Sequence, residues 1–442
     1  MSNFVRAHNL FRKIHSFANT LWWRLSLYVL AAIIVPLSLI FTLLRQRRLL
    51  EGASIRLGEQ RLGFPEVMSL NQYLTVATAG VIVISAWVWG AIADKVGRRP
   101  IFSAGFLLMA VGLGGLSKVD LTFNQIYLYQ TLLAVGFAAT ATMLTMSLAD
   151  SFPQQHFGKI SSLTMIGIII AFILYDYSWY PPFQWALERL VLIRYGILKD
   201  TYYVVGLLNL FMAILTILGH SRHRHLQTHP RRTWRQLAKD RFGAAYNRQT
   251  ALAFAGAFIS RGALGAYLLF FLFWVGDVTI VGDGFQDATM SQFITYCVLR
   301  IVAVCTTLVF GFVADYIHRS TAVLLALTFA TIGLIATFFL KDWHPLFLYL
   351  STAFIALGTV STIIASEAFI ADLAPPNNRG TIIGLFTSCS ALGILTSVGL
   401  GGHLLFEYYQ YAAPFYLLGF LSFLFLLVYA ITLWRASRFS TP

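Results

Sequence analysis

Charge is what this chain has least of. Only 11% of its 442 residues are Asp, Glu, Lys or Arg, while 58% are hydrophobic. A soluble domain carries about 25% charged residues, and so little polar material cannot cover a water-soluble surface of this size. The composition is that of a polytopic membrane protein. Cysteine is nearly absent. Cys297, Cys305 and Cys389 all fall inside apolar stretches, which argues against a disulfide framework and says nothing about compartment. The Gly-x-x-x-x-Gly-Lys loop that cradles phosphates is missing, so ATP is not the energy source. No Gly-x-Ser-x-Gly nucleophile elbow appears either, and the chain is read as no enzyme and as needing no cofactor.

Apolar runs are what the chain has in abundance. A span needs roughly 20 apolar residues, and twelve are placed at about 25–44, 67–89, 101–117, 124–147, 160–182, 203–219, 249–275, 288–313, 321–340, 346–371, 381–406 and 415–434. Backbone amides in lipid must be satisfied within their own segment, so these are helices and the chain is an all-α membrane protein. Residues 1–24 carry Arg6, Arg12, Lys13 and Arg24 beside Phe4, Phe11, Trp22 and Trp23. They read as an amphipathic surface segment rather than a cleaved signal.

Twelve spans place both termini on one side. The termini and even-numbered loops hold 20 of the 32 Lys and Arg residues, the odd-numbered loops 10. The richer side is expected to be cytoplasmic, with Arg45, Arg47 and Arg48 as a local exception. A bacterial inner membrane is the expected location. The net charge of +14 then belongs to a face beside anionic lipid, and no basic module remains to bind nucleic acid.

The chain repeats itself at half its length. Gly90, Ala93, Asp94 and Arg98 after span 2 match Gly311, Ala314, Asp315 and Arg319 after span 8, at an offset of 221. Ala149-Asp150, Pro153 and Gly158 match Ala371-Asp372, Pro375 and Gly380 at an offset of 222. Two patterns at one offset define tandem six-helix halves. The expected organisation is an N-terminal segment (1–24), a first bundle (25–219), a basic linker (220–248), a second bundle (249–435) and a tail (436–442). Parallel halves of this kind are a transporter plan.

At Gly90, Asp94, Lys95, Gly97, Arg98 and Arg99 the sequence resembles the major facilitator superfamily. Every defined position of that family's loop signature, Gly-x-x-x-Asp-(Arg/Lys)-x-Gly-(Arg/Lys)-(Arg/Lys), is filled. The second copy is degraded, with Tyr316, His318 and Ser320 where Lys95, Gly97 and Arg99 stand. The resemblance implies two pseudo-symmetric bundles rocking about a central site. It also implies that the signature loop latches the halves together on the cytoplasmic side. Asp94 is placed to accept from Arg98 or from a neighbouring helix N-terminus, where anions are favoured. Gly90, Gly311, Asp150, Asp315, Asp372, Arg319 and Arg379 join the set of expected gating positions.

Ionisable groups inside a membrane are expensive and mark function. Arg261 lies about 16 Å along span 7, and Arg300 about 22 Å from the loop at Asp315, at 1.5 Å per residue. An arginine cannot shed its charge, and Glu367 is the only carboxylate well inside a span. Two readings stay open: a ligand anion completes the site, or Arg261 pairs with Glu367 while Arg300 bonds helix carbonyls. Trp87, Tyr296, Tyr267 and Gln130 are further cavity candidates.

The motifs of drug–proton antiporters are absent: Leu132 stands where their span-4 arginine precedes Gly136, and Ile168 follows Gly167. His220, His223, His225 and His229 are interleaved with Arg222 and Arg224, so a solvated linker is expected there and no metal site. Residues 183–200 read as an outer amphipathic segment. The expected function is secondary active or facilitative transport of a small solute, an organic anion first. Alternatives are export of amphipathic compounds or siderophores, and a non-transporting scaffold or assembly factor. Expected partners are the small-molecule substrate, a coupling proton or counter-anion and the bilayer, with the protein acting as a monomer.

Overall fold

The computed structural model describes residues 23, 25–39, 42, 64–118, 121–176, 197–219, 247–281, 288–342, 345–376 and 378–439. The amphipathic segment expected at 1–24 (save Trp23), the basic triplet at 45–48, the segment expected at 183–200 (up to residue 196) and the histidine-rich linker lie outside the described residues.

Among the described residues a helix falls on each of the twelve expected spans. The helices are α1 (Leu25–Leu39), α2 (Phe64–Val96), α3 (Arg98–Leu116), α4 (Phe123–Ser151), α5 (Phe157–Asp176) and α6 (Ile197–Gly219) in the first half. The second half holds α7 (Arg248–Val281), α8 (Ala288–Tyr316), α9 (Arg319–Ala336), α10 (Pro345–Leu373), α11 (Arg379–Leu395) and α12 (Ala413–Phe439). Among the described residues nine of these are long and apolar enough to cross a membrane, and α1 and α6 carry shorter apolar stretches.

Polar side chains inside the spans are mostly spent on their own helices. Thr75, Thr78, Thr142, Ser147, Thr295 and Thr307 each donate to the carbonyl four residues back at 2.7–2.9 Å. Back-bonding of this kind removes the cost of a hydroxyl in lipid. A smaller set ties helices together within a bundle. Asn209 on α6 donates to Ser38 on α1 at 2.8 Å, and Thr331 on α9 meets Ser422 on α12 at 3.0 Å.

The halves meet along two seams, α2 against α11 and α5 against α8, and α5 also packs on α10. These seams are related by the half-length repeat. Helix α2 runs on through the signature, so Asp94 sits in its last turns and not in a free loop. Gly97 then adopts φ 96°, a left-handed conformation open to glycine, and α3 begins at the next residue.

The end of α11 departs from the simple helix expected there. Thr396–Leu404 form a π-helical stretch, closed by Leu405 N bonding the Leu400 carbonyl at 3.1 Å. Gly399, Gly401 and Gly402 crowd this segment, and a Cβ at Gly401 would meet Pro414 while one at Gly402 would meet Phe270. Close contact with the Pro414 backbone of α12 and the Phe270 ring of α7 selects glycine in this π-helical stretch.

Candidate functional site

Helix α11 starts without a cap of its own. Its N-cap residue Asn378 makes no side-chain capping bond, and its first turn holds no acid. The opening amides of a helix are orphan donors. Here they are taken by the opposite bundle. Asp94 Oδ1 accepts from Gly380 N at 2.8 Å, and Asp94 Oδ2 accepts from Thr381 N at 3.0 Å and Thr381 Oγ1 at 2.8 Å. The repeat produces the same arrangement on the other seam. Asp315, at the end of α8, accepts from Gly158 N at 2.7 Å and Lys159 N at 3.0 Å, the opening amides of α5. Each carboxylate also faces the positive end of a helix dipole.

Glycine lets the backbones come this close. A Cβ on Gly90 would run into the Gly380 carbonyl and approach the Gly384 Cα at 3.0 Å. Arg319 strengthens the second latch, donating to Asp315 Oδ1 at 2.8 Å and, across the seam, to the Gln154 carbonyl at 2.7 Å.

Asp150 at the end of α4 holds two guanidinium groups. Arg98 forms an ion pair with it, and Arg379 from the other bundle donates to its Oδ1 at 2.6 Å and to the Ala149 carbonyl at 3.2 Å. The repeat breaks here. Asp372 is exposed and makes no ion pair or hydrogen bond among the described residues. The cause is in the sequence: Phe157 occupies the position of Arg379, and Arg319 is already committed to Asp315 and Gln154. Lys95 is exposed and Arg99 half-buried beside this cluster.

Deeper in the membrane, Glu367 on α10 is 5% exposed. Its Oε1 accepts from Arg261 Nη2 on α7 at 2.5 Å, and its Oε2 accepts from Ser161 Oγ on α5 at 2.9 Å. The second of these bonds joins the two bundles. One turn along α5, Thr164 meets the Tyr28 hydroxyl of α1 at 2.9 Å. A charged pair buried like this needs both members, because removing either strands the other.

Arg261 is less enclosed than its partner: its side chain is 21% exposed against 7% for Glu367. Its Nε and Nη1 donors have no protein acceptor among the described residues. Arg261 is among the residues that line a cavity of about 60 Å³ between the bundles. Pro36 and Leu39 of α1, Thr75 of α2, Phe137 of α4 and Ile168 of α5 line one side. Leu264, Gly265, Leu268 and Leu269 of α7 and Ile394 of α11 line the other.

Arg300 is brought to two tyrosines. Its Nε and Nη2 donate to the Tyr296 hydroxyl at 3.0 and 2.9 Å. Its guanidinium carbon lies 4.9 Å from the Tyr296 ring centre and 5.3 Å from that of Tyr267 on α7. Stacking on aromatic faces stabilises a cation where water is scarce. Gln130 is buried in α4, and Trp87, 40% exposed, lies over Gly384 at the α2–α11 seam.

Sequence reasoning passed over Ser161, Tyr28, Thr164 and Thr381. Serine and threonine are common in membrane helices, and nothing in their spacing separates these from the back-bonded majority.

Two six-helix bundles, latched at one end and enclosing a cavity with a half-buried cation among its lining residues, define a membrane transporter. The chain belongs to the Major Facilitator Superfamily, whose sequence profile matches residues 65–298 and 278–441. It is 22% identical over 373 residues to the magnetosome protein MamH of Paramagnetospirillum magneticum, covering 81% of this chain and 82% of MamH. It is 23% identical over 375 residues to the magnetosome protein MamZ of the same organism, again over 81% of this chain but spanning only 55% of MamZ. Among solved structures, the human organic anion transporter MFSD10 superposes with a TM-score of 0.69 at 14% identity, covering 93% of this chain and 99% of that one. The proton:xylose symporter XylE superposes with a TM-score of 0.65 at 13% identity, covering 94% and 95%. At these identities the structural likeness concerns the fold.

Proposed function

We propose that the protein moves a small organic anion across a membrane by rocker-switch alternating access, with Arg261 as the group that receives the anion. The observation that carries this reading is Arg261 itself: a partly exposed guanidinium whose residue lines the cavity between the bundles, with only Nη2 bonded, to Glu367. A guanidinium presents a planar fork suited to carboxylate or phosphate, and buried donors seek an acceptor. Glu367 and Ser161 hold the group in place when no ligand is bound. Arg300, with Tyr267 and Tyr296, stands as a second cation on the path along α7 and α8.

In this reading the two aspartate-capped helix termini form the gate on the cytoplasmic side, and both chain termini are cytoplasmic. The state described here is closed at that gate. Opening requires α11 and α5 to leave Asp94 and Asp315 together, while Asp150 releases Arg379.

Uptake into proteoliposomes tests the proposal. The wild-type protein accumulates labelled organic anions above protein-free vesicles, and Arg261→Ala abolishes this. Unaltered uptake by Arg261→Ala would end the assignment of Arg261.

A further inference from the structure

We infer that the cavity takes a short-chain monoanion with an apolar tail, a small monocarboxylate, and that one proton travels with it to Glu367, making transfer electroneutral. This rests on the anion reading above and specifies the class of anion and the coupling.

The lining sets the class. Arg261 is the one charged group in the cavity wall, and Thr75 is its one other polar side chain among the described residues. Thr75 already donates to the Asn71 carbonyl at 2.9 Å. A sugar or a polyhydroxylated acid would bring donors and acceptors with nothing to meet them, and each unmade bond is costly. A carboxylate on a hydrocarbon tail leaves none: the head takes the Arg261 fork, and the tail lies against Leu264, Leu268 and Ile394.

Size narrows the class further. The cavity holds about 60 Å³, whereas an engineered apolar cavity known to admit benzene has about 150 Å³. A tail of one to three carbons fits the enclosed state, and a ring does not.

Charge sets the stoichiometry. Arg261 and Glu367 cancel in the resting site. Among the described residues the side chains bonded to Glu367 are Arg261 of α7 and Ser161 of α5, and the Tyr28 hydroxyl of α1 lies one turn further along α5, on Thr164. An anion on Arg261 beside an ionised Glu367 would leave one uncompensated negative charge in a water-poor interior. A proton added to the Glu367 carboxylate removes it. The substrate carboxylate then forms the bonds to Arg261 that Glu367 gives up, and the neutral carboxylic acid keeps Ser161 as partner. One negative charge and one positive charge enter together. A dianion would leave a charge unbalanced.

The test uses the full-length protein in proteoliposomes, with rates corrected for protein-free vesicles. Labelled acetate, propionate and butyrate are compared with succinate, benzoate and glucose. The expected result is uptake of the monocarboxylates only, driven by an inward proton gradient and unaffected by a potassium–valinomycin potential. Glu367→Gln should lose gradient-driven accumulation by a much larger factor than it loses monocarboxylate exchange, measured on the protein that remains folded. Leu264→Ala, which enlarges the cavity without touching the charges, should raise the hexanoate-to-acetate preference about tenfold, since one methylene in an apolar pocket is worth at least that. Arg261-dependent uptake of succinate, or uptake that responds to the potential, overturns the monoanion and its proton while leaving the anion reading intact. Transport of glucose with no anion transport at all overturns both.

Discussion

Asp94 of α2 and Thr381 of α11 stand 287 residues apart in the chain, yet the Asp94 carboxylate accepts from both the amide and the hydroxyl of Thr381, at 3.0 and 2.8 Å. Each bundle thus supplies the helix cap that the other lacks. A capping side chain is worth about 0.5–2 kcal/mol to the helix it serves. Here that stabilisation is available only while the two bundles touch, so a local rule of helix termini becomes a term in the equilibrium between open and closed gates.

Removing one cap should therefore shift that equilibrium rather than unfold the protein. Asp94→Ala is expected to favour the open gate by about 1–2 kcal/mol, a factor of roughly 5–30 in population. Asp315→Ala should do the same at the second seam, and the double variant should approach the sum because the two sites share no partner. Spin-label distances between α2 and α11 and between α5 and α8 measure the shift. Unchanged distance distributions in the double variant would show that the caps contribute nothing to closure.

The glycine contact beneath the first cap makes a separate prediction. A Cβ on Gly90 would collide with the Gly380 carbonyl, a rigid backbone atom. Gly90→Ala should force the seam apart at a cost of about 1–3 kcal/mol, the usual range for overpacking. It should shift the same spin-label distances at the α2–α11 seam while leaving those at α5–α8 in place. Wild-type distances at both seams in this variant would mean that the helices slide past the added methyl freely.

Asp150 and Asp372 occupy matching positions in the two halves, and their surroundings predict opposite outcomes. Asp150→Ala strands Arg98 and Arg379, two guanidinium groups at the bundle interface. Breaking such a cluster is expected to cost on the order of 3 kcal/mol. Asp372→Ala removes an exposed carboxylate with no described partner and should stay within about 0.5 kcal/mol. Thermal unfolding of the two variants in the same detergent gives the comparison. Equal losses would contradict the asymmetry.

How much of this was legible in the sequence follows from what each feature depends on. Scarcity of charge marks a membrane chain and gave the spans, because hydropathy in lipid acts residue by residue. The half-length repeat at Asp94 and Asp315 gave the two bundles, because the same capping job recurs in each. The pairing of Arg261 was one of two readings, narrowed by Glu367 being the one carboxylate at hand. Legibility ends where a contact joins unrelated positions. Nothing in the first half marks Ser161 as the residue that crosses to Glu367. Phe157 in place of Arg379 is readable in the sequence, but that this separates Asp150 from Asp372 shows only once Arg379 is seen to reach across to Asp150. The π-helical end of α11 depends on Phe270 and Pro414 arriving from two other helices.

The Arg261–Glu367 pair allows stability and transport to be separated. Arg261→Met leaves Glu367 buried with Ser161 alone, and Glu367→Gln leaves the guanidinium without its counter-charge. Breaking a buried pair from one side costs about 3–5 kcal/mol, whereas replacing both members by uncharged groups of similar volume is often neutral. Arg261→Met should therefore lower the melting temperature sharply, and Arg261→Met with Glu367→Gln should recover most of the loss. Transport should follow the arginine and ignore the recovered stability. The double variant folds, closes its gate on Asp94 and Asp315, and moves no anion, because the cavity wall no longer offers a donor. Measuring unfolding and uptake on the same four proteins decides the matter. If uptake returns together with stability, the pair serves the fold alone and the anion must be received elsewhere along the path.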